Sequence, residues 1–118
     1  MFLYLGRMTQ LEDLNLWRVQ ITDDGAAHLA GLTQLRTLNL DNTRISDVAL
    51  VYLKEMKQLE RLHLGTTAIT NAGLVHLEGL SNLRDLNVSR TGINEEGVAD
   101  LQTHLPDIKV QLLYVGDG

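Results

Sequence analysis

The strongest structural signal lies in residues 59–82, which read LERLHLGTTAITNAGLVHLEGLSN. The same pattern recurs in residues 11–34, 35–58 and 83–107, and the units at 11–34, 35–58 and 59–82 follow one another at a period of 24 without gaps. Internal repetition at a period of this length is the signature of a stacked repeat architecture. At 118 residues the chain is long enough for one such domain and too short to suggest two.

Each unit opens with a strand-like pattern and closes with a helix-like one. The opening is LxxLxL, or its valine-ended equivalent, and its last two apolar positions alternate as in a β-strand with one buried face. An isoleucine follows, and then apolar residues at a spacing of three give one apolar helical face. The opening triplets are Leu11/Leu14/Leu16, Leu35/Leu38/Leu40, Leu59/Leu62/Leu64 and Leu83/Leu86/Val88, and the isoleucines are Ile21, Ile45, Ile69 and Ile93.

A helix start is predicted between the isoleucine and the helical leucines of each unit. The residues there are good N-caps, whose side-chain oxygens can accept hydrogen bonds from free backbone N–H groups, and the acids that follow suit the positive end of the helix dipole. The column of Gly25, Gly73 and Gly97 also holds Ala49, so we expect it to require a small residue and not a positive φ. The N-cap residues are Thr22, Ser46, Thr70 and Asn94, and the acids are Asp23, Asp24, Asp47, Glu95 and Glu96.

The physical interpretation is one short strand, one turn and one helix in each unit. No unit can bury its apolar face alone, so neighbouring units must stack to close a continuous core. Parallel strands about 4.8 Å apart would form a sheet on the inner, concave side. The wider helices would lie on the outer, convex side and force the solenoid to curve. The expected fold class is therefore α/β, a right-handed βα solenoid.

These motifs make the chain resemble the leucine-rich-repeat family over essentially its whole length. The units are similar to the 24-residue bacterial form with the consensus LxxLxLxxTxITDxGLxxL, which is related to the GALA-type and ribonuclease-inhibitor-like repeats. Many family members carry asparagine at the ninth position, where its amide joins successive turns. That column is Val19, Thr43, Thr67 and Thr91 here, so we expect a hydroxyl ladder in place of the amide ladder, broken at Val19.

The two ends of the chain depart from the regular repeat. Residues 1–10 look like the second half of a truncated unit, with Leu5 and Met8 matching helical leucines. Near the other end the phase slips by about one residue before Pro106, which should end the preceding helix. A terminal unit is predicted over 108–118, with its strand near residues 108–112. Its free edge and the apolar residues after it would favour association between copies.

Composition and charge narrow the function classes. The net charge of −5 comes without any block of basic residues, which disfavours nucleic-acid binding. The chain has no cysteine, and neither a signal-peptide pattern nor an apolar stretch long enough to span a membrane. We therefore expect a soluble protein of the cytoplasm with no membrane partner, or a secreted effector if a leader has been removed.

Exposed strand positions supply the candidate binding residues. The column Glu12, Arg36, Glu60 and Arg84 alternates in sign, which predicts lateral ion pairs on neighbouring strands, with a recognition stripe as the alternative. Other columns carry irregular residues, and irregularity at exposed positions can encode specificity. An exposed tryptophan is a common interface anchor, although it could also shield the first unit. The predicted partner-binding residues on the concave face are Trp17, Asp41, Arg61, His63, Arg36 and Arg84.

No catalytic, cofactor or metal site is predicted. The candidate histidine, His63, lacks a nucleophile or a positioned acid in its column. His28 and His76 share a column but lie two units apart, roughly 10 Å by strand spacing, which is too far for both to bind one zinc ion. Nucleotide-binding glycine motifs are absent.

The resemblance implies a non-catalytic protein–protein interaction scaffold that presents its concave face to a protein partner. One alternative is a fragment of a larger leucine-rich-repeat effector or of an F-box-type ubiquitin-ligase substrate adaptor. A second alternative is a self-assembling structural unit, a homo-oligomer formed through uncapped ends.

Overall fold

A computed structural model describes residues 7–112 and places five short strands in one parallel sheet. The strand order is β1-β2-β3-β4-β5, and every neighbouring pair is offset by 24 residues, so Leu38 pairs with Leu62 and Leu62 with Leu86. The predicted α/β leucine-rich-repeat solenoid is confirmed. The strands are β1 (Asp13–Asn15), β2 (Thr37–Asn39), β3 (Arg61–His63), β4 (Asp85–Asn87) and β5 (Lys109–Gln111).

The helical layer is built from short segments, one for each connection between strands. Only the last connection, α3, is a helix of more than two turns, and the first and third contain 3₁₀ helix. A 3₁₀ helix rises about 2 Å per residue, so it spans a short connection with fewer residues than an α-helix. The segments pack side by side in chain order. They are α1 (Asp23–Ala26) continued by η1 (Ala27–Leu29), α2 (Asp47–Val51), η2 (Asn71–Leu77) and α3 (Glu95–His104).

The core lies between the sheet and the helical layer as one continuous stack of leucine and isoleucine. Leu62 is fully buried, as the repeat phase predicts, and its neighbours Leu38 and Leu86 are 1% exposed. The isoleucine after each strand is also buried, from Ile21 to Ile93. Each unit therefore contributes a thin apolar layer that only the adjacent units can cover.

The predicted N-caps begin all four connections, but the acids beside them have a role that the sequence pattern did not indicate. The Asp23 carboxylate accepts hydrogen bonds from the backbone N–H of Ser46, at 2.8 Å, and from its hydroxyl. Asp47 accepts the same pair of bonds from Thr70. Each aspartate thus joins its unit to the next, which helix-dipole stabilisation alone does not require.

Side-chain capping bonds form at only two of the four helix starts. Thr70 and Asn94 accept side-chain cap bonds in their own segments, whereas Thr22 and Ser46 do not. Asn71 replaces the aspartate in the third unit, and its amide exchanges hydrogen bonds of 2.9 and 3.1 Å with Asn94. The prediction that all four side chains cap their helices is therefore wrong for the first two.

The predicted hydroxyl ladder in the ninth-position column is also wrong. The hydroxyls of Thr43, Thr67 and Thr91 each donate at 2.7 Å to a carbonyl three residues earlier in the same unit. A threonine hydroxyl is too close to its own backbone to reach the next turn, so it closes its own turn instead. The side-chain hydrogen bonds between successive helix starts are made by Asp23, Asp47 and Asn71.

The small-residue column packs closely, as predicted, and no glycine among residues 7–112 has a positive φ. A Cβ built on Gly73 would lie 2.7 Å from Leu50 Cδ1 and closer still to the Asp47 carboxylate. Left-handed backbone occurs instead three residues after the end of each of the first four strands, at positions where no residue is glycine. The left-handed residues are Arg18, Asn42, Thr66 and Arg90, with φ between 52° and 62°.

The phase slip predicted before the last strand is present. Leu105 and Ile108 are buried 25 residues after Leu80 and Leu83, yet β5 pairs with β4 at an offset of 24. The ten-residue α3 takes up the extra residue, and the chain recovers the register before Lys109.

Near the two chain ends, the structure describes Met8 but not Leu5, and residues up to Leu112. Met8 is 50% exposed, unlike the buried Leu32 that it was expected to match, although the bond from Leu11 N–H to Met8 O repeats that from Leu35 to Leu32. Leu5 and residues 113–118 lie outside the described residues. Over residues 7–112, no helix is long and apolar enough to cross a bilayer. The division into units with the bounds given above stays a prediction.

Candidate functional site

The exposed side of the sheet consists of two columns of side chains, which we call the sheet face. They flank the buried leucine column, because successive residues of a strand point to opposite sides. The predicted columns of the four full units are in lateral register, and β5 extends both. The sheet face is formed by Asp13, Thr37, Arg61, Asp85 and Lys109, and by Asn15, Asn39, His63, Asn87 and Gln111.

The column of alternating charge, Glu12, Arg36, Glu60 and Arg84, lies beside the sheet face. It forms the predicted lateral ion pairs at its first three members. Arg36 Nη2 lies 2.9 Å from Glu60 Oε2, and Arg36 Nη1 lies 3.8 Å from Glu12 Oε1. The hydrogen bond and the charge of Glu60 raise the pKa of the Arg36 guanidinium above its ordinary value. Arg84 departs from the pattern and donates to the carbonyl of Ser81 at 3.0 Å.

A second lateral pair joins predicted site residue Arg61 to Asp85, with Nε and Oδ2 3.6 Å apart. Thr37 donates its hydroxyl to Asp13 in the same column. Both side chains of the ion pair are half exposed or more, so solvent screens the interaction and its contribution to stability is small. These side chains remain accessible to a partner.

The asparagines of the sheet face organise the turns that follow the strands. Asn15 Oδ1 accepts the N–H of Trp17, and Asn39 Oδ1 accepts the N–H of Asp41, both at 2.9 Å. Asn87 does the same for Ser89 at 3.0 Å. The asparagine column is therefore structural as well as exposed.

In the third unit a different residue accepts the corresponding backbone N–H after the strand. His63 stands where the other units carry asparagine, and the N–H of Gly65 donates instead to Asp41 Oδ1 of the preceding unit, at 2.7 Å. Asp41 Oδ2 lies 3.6 Å from His63 Nδ1. A Cβ on Gly65 would lie 3.2 Å from Asp41 Oδ1, the oxygen that accepts its N–H. Asp41, His63 and Gly65 thus form one coupled group.

This coupling qualifies the sequence argument that irregular exposed residues encode specificity. His63 departs from a column of asparagines, and Asp41 accepts the N–H of Gly65 in place of the missing asparagine. Gly65 was not among the predicted site residues. The signal in the sequence was His63 itself, since Asp41 and Gly65 share a column in which all four residues differ. His63 still presents 41% of its side chain to solvent, against 20% for Asp41.

Trp17 is exposed, as predicted, but it lies beyond the end of β1. Its exposed fraction is 52%, and the Arg18 guanidinium carbon sits 5.3 Å from the ring centroid, a cation–π contact. Two shallow depressions of the sheet face meet at His63, and Arg61 lines the first of them. Trp17 and Arg84 line neither.

The predicted residues therefore fall into a central group and a periphery. Arg61, His63 and Asp41 lie together in the middle of the sheet, Arg36 flanks them, and Trp17 and Arg84 lie nearer the two ends. The sheet face and its flanks can bind a partner through amide hydrogen bonds, through charged side chains that are already paired, and through the exposed ring of Trp17. Within residues 7–112, no group of three or more histidine and acidic side chains is placed to hold a metal ion.

Comparisons with known proteins agree with this architecture. The family model described as "Leucine rich repeat" matches residues 33–93. No curated protein matches the sequence. The structure of internalin C2 from Listeria monocytogenes is similar, with a TM-score of 0.78 and 25% identity, over 98% of this chain and 50% of that chain.

Two further structures share the fold. Leiomodin-1 actin-binding site 2 matches with a TM-score of 0.73 and 20% identity, over 96% of this chain and 76% of that chain. A leucine-rich-repeat protein of Leptospira interrogans matches with a TM-score of 0.53 and 17% identity, over 91% of this chain and 38% of that chain. The present chain spans about half the length of the internalin structure.

Proposed function

The chain belongs to the leucine-rich-repeat family, and on that premise we propose that it is a non-catalytic scaffold that binds a protein partner through its sheet face. Proteins of this family commonly serve as protein-interaction scaffolds. The observation that carries the proposal is the exposed Trp17 ring, stacked with Arg18 beside the polar columns. Tryptophan and arginine are the residue types most enriched among the energetically dominant contacts of interfaces.

The central group would supply the polar part of this interface. Arg61 and His63 expose 67% and 41% of their side chains, and each lies 3.6 Å from a carboxylate of a neighbouring unit. Both side chains are therefore accessible to a partner, in pairs that solvent screens. Arg36 and Arg84 would extend the contact along the neighbouring column.

The proposal that the protein is not an enzyme also rests on this group. The acid next to His63 is Asp41, and its Oδ1 already accepts the Gly65 N–H. Asp41 Oδ2 lies 3.6 Å from His63 Nδ1, beyond hydrogen-bond distance. A catalytic pair would also need a nucleophile within reach of the histidine, and the lateral neighbours of His63 are Asn39 and Asn87.

The partner class, a protein, is supported by the structural neighbours, one of which is named for an actin-binding site. A location in the cytoplasm stays a prediction. So does the possibility that the chain is part of a larger effector or ubiquitin-ligase adaptor.

The test is capture of a partner with the wild-type protein, followed by titration of the purified partner with wild type and Trp17→Ala. The substitution removes an exposed ring, so folding should be nearly unchanged while affinity falls by about 2 kcal/mol or more, roughly 30-fold. His76→Ala, on the helical side, is the matched control. Equal affinity for wild type and Trp17→Ala, with loss on His76→Ala, would place the interface on the helical side.

A second candidate is self-assembly, favoured by the outer strands. Among residues 7–112, β1 and β5 each pair on one side. Lys109 on β5 belongs to the column that begins with Asp13 on β1, so two copies stacked end to end would place opposite charges side by side. Sedimentation at increasing concentration tests this candidate: association weakened by Lys109→Glu supports it, and a clean monomer at millimolar protein contradicts it.

A further inference from the structure

The helical side carries an apolar surface that the proposed sheet-face function does not use. Of the five large apolar side chains that are exposed among residues 7–112, three lie there: Val48 at 55%, Val51 at 37% and Val75 at 56%. Scattered exposed apolar residues are ordinary, whereas a contiguous group marks an interaction surface. Val51 and Val75 occupy equivalent positions of adjacent units, 24 residues apart, on the neighbouring segments α2 and η2.

This apolar surface continues into a groove between η2 and α3. The groove has an apolar floor that includes Leu74, Val75 and Leu101. Leu74 and Leu101 are 5% and 1% exposed, so the floor is the outer surface of the core itself. A side chain inserted there would pack against residues that are already rigid.

The charged residues that line the groove itself are acidic, whereas Lys54, Lys57 and His76 line a separate depression that Val75 also borders. Glu78, Glu96 and Asp100 line the groove, and no lysine, arginine or histidine is among its lining residues. His104 Nε2 approaches Glu78 Oε1 from outside, at 3.6 Å. Glu96 and Asp100, the two carboxylates of α3 that line the groove, have no ion-pair partner among the contacts of residues 7–112. An apolar floor with an acidic rim is complementary to an apolar segment flanked by basic side chains.

We propose that the η2–α3 groove is a second docking surface, and that it takes an amphipathic cationic segment of a partner protein. The mode is that of an amphipathic helix in a groove, with apolar anchors on the floor and lysine or arginine at the rim. Binding depends on both components: Val75 contributes apolar contact, and Glu96 and Asp100 contribute charge. The surface is separate from the sheet face, so one chain can engage two partners.

The probe is a fluorescein-labelled leucine–lysine peptide of amphipathic helical pattern, titrated with the full chain and followed by anisotropy at low salt. Val75→Ser should weaken binding by about fivefold or more through loss of apolar contact. Glu96→Gln/Asp100→Asn should weaken it by about tenfold at low salt and by less at high salt, where charges are screened. Circular dichroism checks that each variant is folded.

Three controls make the result decisive. Glu12→Gln/Asp13→Asn removes the same charge from the sheet side and should change the affinity by less than about twofold, and Trp17→Ala should also leave it unchanged. If Glu12→Gln/Asp13→Asn weakened binding as much as Glu96→Gln/Asp100→Asn, the peptide would be attracted by the net charge of −5 and not by the groove. That result would contradict the proposal. Equal binding of a lysine–serine peptide, or no binding of the leucine–lysine peptide at millimolar protein, would overturn the proposal.

Discussion

At the scale of single residues, the most informative group is Asp41, His63 and Gly65. Three of the four full units use an asparagine to accept the N–H two residues later, and the third unit uses an aspartate from its neighbour. Gly65 is buried, so its N–H would pay the cost of desolvation if the acceptor were lost. Asp41 therefore takes the place of the asparagine that His63 replaces, and His63 lies beside it.

This coupling predicts a non-additive mutational cycle. Asp41→Ala should destabilise the protein by about 1–3 kcal/mol, because it leaves a buried N–H without that acceptor. In the background of His63→Asn the cost should fall by about 1 kcal/mol, since the new amide can accept from Gly65 as the other asparagines do in their units. Urea denaturation of the four proteins measures the cycle. Additive costs would show that the three residues act independently.

At the scale of elements, the joints between units decide how the helical segments pack. The aspartates of α1 and α2 each receive two bonds from the next helix start, and the small-residue column lets the segments approach. Ala49 is accepted in that column because the preceding unit carries Ala26 where Gly73 meets Leu50. A larger residue in the small-residue column (Ala49) thus faces a smaller residue of the preceding unit (Ala26), and the smaller Gly73 faces the larger Leu50.

Adding one methyl group at such a joint should therefore be costly. Gly73→Ala is expected to destabilise the protein by about 1–3 kcal/mol, because the new Cβ collides with Leu50 and the Asp47 carboxylate. Gly79→Ala is the control, since its Cβ would meet only the flexible end of Lys57, and it should be neutral or stabilising by up to about 1 kcal/mol. Thermal melts compare the two. A Gly73→Ala protein as stable as the control would contradict the close packing.

The element scale also shows where sequence analysis stops. The 24-residue register, the strand positions and the helix starts could be predicted, because apolar periodicity encodes them directly. The partners of polar side chains could not, since Thr43 and Asp23 are equally able to bond within a unit or across a joint. That choice depends on side-chain reach in three dimensions, which spacing along the chain does not contain.

At the scale of the whole molecule, stability is distributed along the stack. Each unit buries its leucines against its neighbours, so the central units are covered on both sides and the outer ones on one. The sequence predicted this arrangement and the exposure of Trp17, but it did not predict that Asp41 takes the place of the asparagine that His63 replaces. It also gave no indication of the acidic groove, because Glu78, Glu96 and Asp100 come from two different units.

A cavity in the centre of the stack should disturb more than one unit. Leu62→Ala is expected to cost about 2–5 kcal/mol through lost burial and the cavity left behind. Hydrogen exchange should then accelerate in β2 and β4 as well as in β3, because neighbouring units cover one another. A variant that melts within a degree or two of the wild type, or that exchanges faster in β3 alone, would contradict the stacked core.

The sheet face as the partner-binding surface is tested most directly by histidine footprinting of the complex. Diethylpyrocarbonate modifies accessible imidazoles, and the four histidines sample both sides of the molecule: His63 lies on the sheet face, whereas His28, His76 and His104 lie on the helical segments. With the captured partner bound, modification of His63 should slow severalfold while His28 and His76 react as in the free protein. Protection of His28 and His76 with His63 unchanged would contradict the account.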